Sequence, residues 1–219
     1  MKTLRVIAFI ATVLCASPVA FAQDEARAVW QVTRFDITAR LPADASADRN
    51  LTVRARIAAR NVGGASGRTF TVRLNPAAEV SAASAGDAAA TFTKREDARA
   101  KLQQISLNLP SSIAPQGAVT VTLEYRLPVE KNNGLMSVSS EGSQFLPPAF
   151  WYPTPNTPYT ARGADTAPFR LSVTPSPNEI VLSSGRDNVD VGSFVQSLNA
   201  QPFFVTGQWD LVNGEGEAR

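Results

Sequence analysis

The side chains best suited to chemistry at neutral pH are almost missing from this chain. It has no histidine, and its single cysteine, Cys15, falls within the first 22 residues. That excludes an imidazole general base, a His or thiolate zinc site, a cysteine nucleophile and a disulfide framework from the rest of the sequence. Any chemistry would fall to carboxylates, hydroxyls, amides, arginines and aromatics. Among the carboxylates, pairs such as Glu96 with Asp97 and Asp187 with Asp190 could suggest glycosidase chemistry or calcium. Neither has the alternating oxygen ligands of a calcium loop, and glycosidase chemistry needs carboxylates converging from separate elements. Gly64-Ala65-Ser66-Gly67 is one residue short of a nucleophile elbow and has no partner base. The lysines beyond the first 22 residues, Lys94, Lys101 and Lys131, stand in no Ser-x-x-Lys setting. No catalytic residue, metal ligand or cofactor site is therefore expected.

The densest group of recognition-type residues is 145 to 155, which holds four prolines and four aromatics in eleven positions. A central strand cannot contain so many prolines, so the segment reads as a rigid, extended connection. Trp151, Tyr152 and the nearby Tyr159 could stack on a sugar or a peptide at low entropic cost. The favoured reading is the plainer one, in which a long connection buries its aromatics against the core. Arg54, Arg56 and Arg60 recur at every second or fourth position and read as a solvated outer strand face.

These residues must be positioned by strands. In residues 51 to 57, Leu51, Val53, Ala55 and Ile57 share one face while Thr52, Arg54 and Arg56 take the other. The same period of two runs through 119 to 127, and further strands are expected at 32–40, 69–74, 102–109, 168–174, 179–183 and 202–211. Turn signals such as Gly63-Gly64, Asn75-Pro76, Asn132-Asn133-Gly134 and Ser184-Gly185 separate them. Helix signals are few, and residues 94 to 104, without a continuous apolar stripe, read as a polar turn. Residues 83 to 90 read as a small-residue loop beside a short strand. The fold class expected is an all-β, antiparallel β-sandwich in one domain, residues 23–212, followed by a polar tail at 213–219.

Residues 1–22 read as a secretory signal peptide. Lys2 and Arg5 form the positive region, Val6 to Leu14 the apolar stretch, and Ala20-Phe21-Ala22 the cleavage site. Without Lys2 and Arg5, the 21 Lys and Arg fall to 19, equal to the 19 Asp and Glu. A formally neutral exported chain gives no electrostatic reason to expect nucleic acid or a membrane surface as partner. The expected location is periplasmic or extracellular.

A set of local phrases, from about Val32 to Val212, resembles the amino-terminal β-domain of the gluzincin zinc aminopeptidases of the aminopeptidase N type. They are the strand ending Val121-Thr122-Leu123-Glu124-Tyr125, Gly134, Ser143-Gln144-Phe145, Phe150-Trp151-Tyr152-Pro153, Phe169-Arg170-Leu171-Ser172-Val173, Glu179 to Gly185, and Pro202 to Asp210. The resemblance implies a saddle-like β-sandwich that is not itself catalytic and supports a cleft in a downstream catalytic domain, its first partner. It also implies that Gln144 helps to hold the substrate's amino end, with Trp151, Tyr152 and Tyr159 as neighbouring substrate-binding candidates. Leu146 stands where the family places an acid, and the family's Cys-x-Asp-Glu-Pro phrase is replaced by Tyr152 to Asn156. The zinc-binding His-Glu-x-x-His helix would lie beyond Arg219 if the reading frame continues. The other reading is a free-standing module that binds a glycan or peptide through the three aromatics.

Overall fold

The computed structural model describes residues 27–156, 165–188 and 193–209. Where apolar and polar residues alternate, the chain forms long strands, because alternation gives a strand one face to bury and one to leave in water. The long ones are β1 (Trp30–Arg40), β2 (Asn50–Asn61), β3 (Gly67–Leu74), β7 (Leu102–Ile113), β8 (Ala118–Pro128) and β12 (Ala167–Thr174). Between β3 and β7 lie β4 (Glu79–Ala85), β5 (Ala88–Ala89) and β6 (Phe92–Asp97). Between β8 and β12 come β9 (Met136–Ser139), β10 (Gly142–Phe145) and β11 (Thr154–Pro155), and β13 (Ile180–Ser183), β14 (Arg186–Asn188), β15 (Ser193–Ala200) and β16 (Phe204–Gly207) follow.

They assemble into an eight-stranded sheet, β14-β15-β12-β1-β2-β8-β4-β5, and two four-stranded sheets, β13-β16-β10-β9 and β11-β3-β7-β6. Pairing is antiparallel except between β1 and β12, where Phe35 lies opposite Phe169 and Ile37 opposite Leu171 in parallel register. The inner faces of all three sheets meet in one core, which includes Phe35, Ile57, Phe70, Leu107, Leu123, Phe145, Phe169 and Phe204. The all-β sandwich expected from alternation is the fold observed.

Two expectations need correction. The polar turn over 94–104 is shorter: Lys94 to Asp97 complete the edge strand β6, paired with β7 from Phe92↔Leu107 to Asp97↔Leu102, and the turn occupies only 98–101. Strand β6 is polar and mostly exposed because it is an edge, so it carries no alternation to be read. Residues 83–90 form less loop than expected. Ala83 to Ala85 end β4, and a tight hairpin at Gly86, whose φ of +59° suits glycine, returns into β5.

Asn61 ties one end of the sandwich together. Its side chain is fully buried, accepts hydrogen bonds from the backbone N–H groups of Val29 and Gly63, and donates to the carbonyls of Ala65 and Ile113. Three separate segments are thereby fastened to one amide group. At the other end Gln103, also fully buried, donates through Nε2 to the carbonyls of Asn75 and Ala78, at 2.6 and 2.7 Å.

Candidate functional site

Residues 145–155 connect two strands as expected, but the connection is turned and not extended throughout, and it runs through the core rather than over it. After Phe145 closes β10, Pro147–Ala149 make one 3-10 turn, and Phe150 takes a left-handed conformation, φ +50°. Thr154 and Pro155 then pair with the edge of β3, opposite Arg73 and Val72, where proline's missing N–H is tolerated. Between these fixed points Trp151 and Tyr152 are driven inward, and both are 0% exposed. Trp151 lies edge-on to Phe145 and Phe204, at 6.2 and 5.2 Å between ring centroids, and its carbonyl accepts the Tyr125 hydroxyl at 2.7 Å. Tyr152 lies edge-on to Phe35 at 5.6 Å. The wedge thus bridges the eight-stranded sheet and the β13-β16-β10-β9 sheet.

This corrects the placement of Trp151 and Tyr152 among ligand-binding candidates. Their ring faces are occupied by Phe35, Phe145 and Phe204, so a sugar or peptide cannot stack on them without unfolding the core. Tyr159 lies outside the described residues.

Burial of the two phenols has a consequence for alkaline stability. Tyr125 and Tyr152 are both pushed well above the ordinary tyrosine pKa, chiefly by desolvation; at Tyr152 the Asp165 carboxylate adds to this and Arg73 opposes it. The folded phenols stay neutral where unfolded ones, with a pKa near 10, ionise, so this contribution to stability is complete below pH 10 and is lost above it. Urea unfolding between pH 9 and 11 should show stability falling by about 1.4 kcal/mol per pH unit for each such phenol once pH exceeds about 10. Tyr152→Phe removes no hydrogen bond made by the hydroxyl among the described residues and should remove about half of that slope. An unchanged slope would show that Tyr152 is not the group responsible.

Gln144 has a different setting. In β10 its neighbours Ser143 and Phe145 point into the core, so Gln144 points out, half-buried. The strand is held close to β16 at Gly142, whose φ of +147° and lack of a Cβ are both required: a Cβ there would fall 2.2 Å from the Thr206 carbonyl. Ser143 N–H donates to Thr206 Oγ1, and Gln144 Nε2 donates to the Gly134 carbonyl at 2.8 Å. Across the outer face, Ser137, Gln144, Val205 and Leu182 are directly opposite one another on adjacent strands. Trp209 folds back over Gly207, where a Cβ would meet its Nε1 at 2.7 Å.

Gln144, Val205 and Trp209 line a shallow depression of about 300 Å³, and so does Glu141. Sequence reading looked for an acid two residues after Gln144 and found Leu146; Glu141, three residues before it, is the carboxylate that shares its depression. Only the β9–β10 hairpin brings the two together, so no spacing rule would have found it. Leu182, 45% exposed, and Trp209, 38% exposed, make this face partly apolar.

Among the described residues there is no donor set for zinc. The sequence lacks histidine, and among the described residues no three Cys, Asp or Glu side chains cluster to hold an ion. Asp187 and Asp190 form no described pair, since Asp190 lies outside the described residues.

No family model and no curated protein matches this sequence. Solved structures do match. An M1 zinc metallopeptidase from Deinococcus radiodurans superposes with a TM-score of 0.61 at 16% identity, over 83% of this chain and 43% of that one. A mutant of the same enzyme bound to a Tyr-Ser-Ala substrate gives 0.62 at 16% identity, over 82% and 42%. Native leukotriene A4 hydrolase from Saccharomyces cerevisiae gives 0.59 at 13% identity, over 83% and 30%. The chain spans less than half the length of these proteins. By fold it is similar to the amino-terminal β-domain of the M1 zinc metallopeptidases, the family suggested by its local sequence phrases.

Proposed function

We propose that this chain is an exported, non-catalytic β-domain that works beside a zinc aminopeptidase domain and supplies one wall of its substrate cleft. The observation that carries this reading is the likeness of fold over 83% of the chain. The outer face of β13-β16-β10-β9 is the surface proposed for that wall. It combines exposed apolar groups, Leu182 and Trp209, suited to packing on another domain, with the polar Gln144 and Glu141, suited to a substrate's amino end. The free-standing glycan or peptide module loses its footing here, since two of its three aromatics are buried.

The purified chain should hydrolyse no aminoacyl-p-nitroanilide, with or without added zinc. Reading the gene beyond the codon for Arg219, or capturing partners from its own host, should yield a His-Glu-x-x-His domain. In the reconstituted pair, Gln144→Ala should raise KM about tenfold with a smaller change in kcat, as expected for a lost hydrogen bond to a charged amine. Zinc-dependent hydrolysis by the chain alone, or a peptidase pair indifferent to both Gln144 and Glu141, would refute the reading.

A further inference from the structure

No described residue covers the outer face of the eight-stranded sheet at β12, β1, β2 and β8, and the face is strongly biased in charge. Strands β12, β1, β2 and β8 put every large apolar side chain inward, including Trp30, Phe35, Tyr125 and Phe169. Their outward positions are taken mostly by arginine, threonine and serine, with Asp36 and Glu124 as the acids among them. Register sets Arg170, Asp36, Arg56 and Thr122 in one row across the strands, and Thr174, Arg40, Thr52 and Arg126 in another, with Arg60 further along β2.

Some of these charges are neutralised locally. Arg34 pairs with Asp36 at 3.1 Å, Arg54 with Glu124 at 3.3 Å, and Arg126 with Asp48 and Glu79 at 2.9 and 3.8 Å. Among the described residues, Arg40, Arg56, Arg60 and Arg170 have no carboxylate within salt-bridge distance, and all four are exposed. Because the chain beyond residue 22 carries equal numbers of cationic and anionic side chains, this is segregation of charge onto one face and not a general excess. The face is also grooved beside these arginines. A groove of about 550 Å³ opens over β1, β2, β8 and β4, lined by Arg40, Thr38 and Thr52 and by the ion-paired Arg54, Arg126, Glu79 and Glu124. A second depression continues from Arg40 and Thr52 past Asp48 towards Pro42 and Pro175, while Arg56, Arg60 and Arg170 stand on the open face outside both.

We infer that this arginine face, with the groove at Arg40 as one end, binds a linear acidic polysaccharide. The free guanidiniums supply forked, charge-assisted hydrogen bonds that fit carboxylate or sulfate groups. The threonine hydroxyls between them offer donors and acceptors to sugar hydroxyls. Arg56 and Arg170 are separated by one strand, so about 10 Å apart, close to the Debye length at physiological salt, and act on a polymer jointly. Other anionic partners fit less well. Among the described residues the face has no exposed aromatic ring on which single-stranded nucleic acid would stack. Among the described residues of β12, β1, β2 and β8 there is no exposed large apolar side chain of the kind that centres a protein interface or enters a bilayer. This inference does not depend on the zinc-peptidase reading, which concerns a different sheet.

Heparin and polygalacturonate are the probes, with the full chain titrated across a range of salt concentrations. We expect binding to at least one of them, none to neutral dextran, and weaker binding to duplex DNA and to phosphatidylglycerol vesicles. R40A/R56A/R170A should weaken binding at least about tenfold and make the dependence of log K on log salt shallower by roughly 2 to 3. K94A/R95A/R99A removes the same charge around β6, away from this face, and should leave affinity within about twofold of wild type. Footprinting of the wild-type chain with an arginine-directed dicarbonyl reagent tests the site without any variant: polysaccharide should protect Arg40, Arg56 and Arg170 and spare Arg95 and Arg99. Equal losses in both triple variants, protection that does not favour this face, tighter binding to DNA or vesicles, or no binding at physiological salt would each overturn the inference.

Discussion

Trp151→Ala is expected to lower the unfolding free energy by about 3–5 kcal/mol, the range for removing a fully buried aromatic side chain. The indole touches Phe145 and Tyr152 of its own connection and Phe204 of β16, and its carbonyl holds the Tyr125 hydroxyl of β8, so no single strand can shift to fill the space. The melting temperature should fall by roughly 6–20 °C on the scaling for a chain of this size. Urea and thermal denaturation measure both quantities. The same measurement separates the two roles open to this residue: a ligand-stacking tryptophan at the surface would tolerate alanine with little loss of stability. A loss under about 1 kcal/mol would mean that the wedge is not part of the core.

Asn61→Ala tests a different kind of interaction. The substitution deletes four side-chain hydrogen bonds and leaves two backbone N–H groups and two carbonyls without their partner. Each orphaned buried group costs about 1–3 kcal/mol, reduced where water can reach it, so a total loss of about 2–4 kcal/mol is expected. Hydrogen exchange gives the local signature, with the amides of Val29 and Gly63 losing protection before the centre of β2 does. Asn61→Asp should not rescue, because it keeps the acceptor, removes the donor to Ala65 and Ile113, and places a charge where the amide is buried. Wild-type protection at Val29 and Gly63 in the alanine variant would show that these amides do not depend on the side chain.

The long strands were legible because each has a buried and a solvated face. β1, β2, β3, β7, β8 and β12 all fall within a few residues of the alternating runs in the sequence. The strands that escaped were edges, very short, or without a clear alternation, the last including the eight-residue β15, whose two faces are both half-exposed. β6 is polar and mostly exposed, β4 is made largely of small residues, and β9 and β10 have four residues each, too few for a period to emerge. That matters for function, because β10 carries Gln144. The residue drew notice through the phrase Ser143-Gln144-Phe145, while Glu141 joins it only through the hairpin geometry.

By itself, the sequence determined the all-β class, the absence of histidine chemistry, and the placement of Arg54, Arg56 and Arg60 on one strand face. Those properties depend on residue type and on the two-residue period of a strand, which are local. Tertiary structure alone decided whether Trp151 and Tyr152 meet ligand or core, because an amphipathic ring suits both and the choice rests on Phe35 and Phe204 arriving from distant segments. It also decided that Arg40 and Arg170 join Arg56 on one face, since strand order and register are set by long-range pairing and not by any single strand's composition.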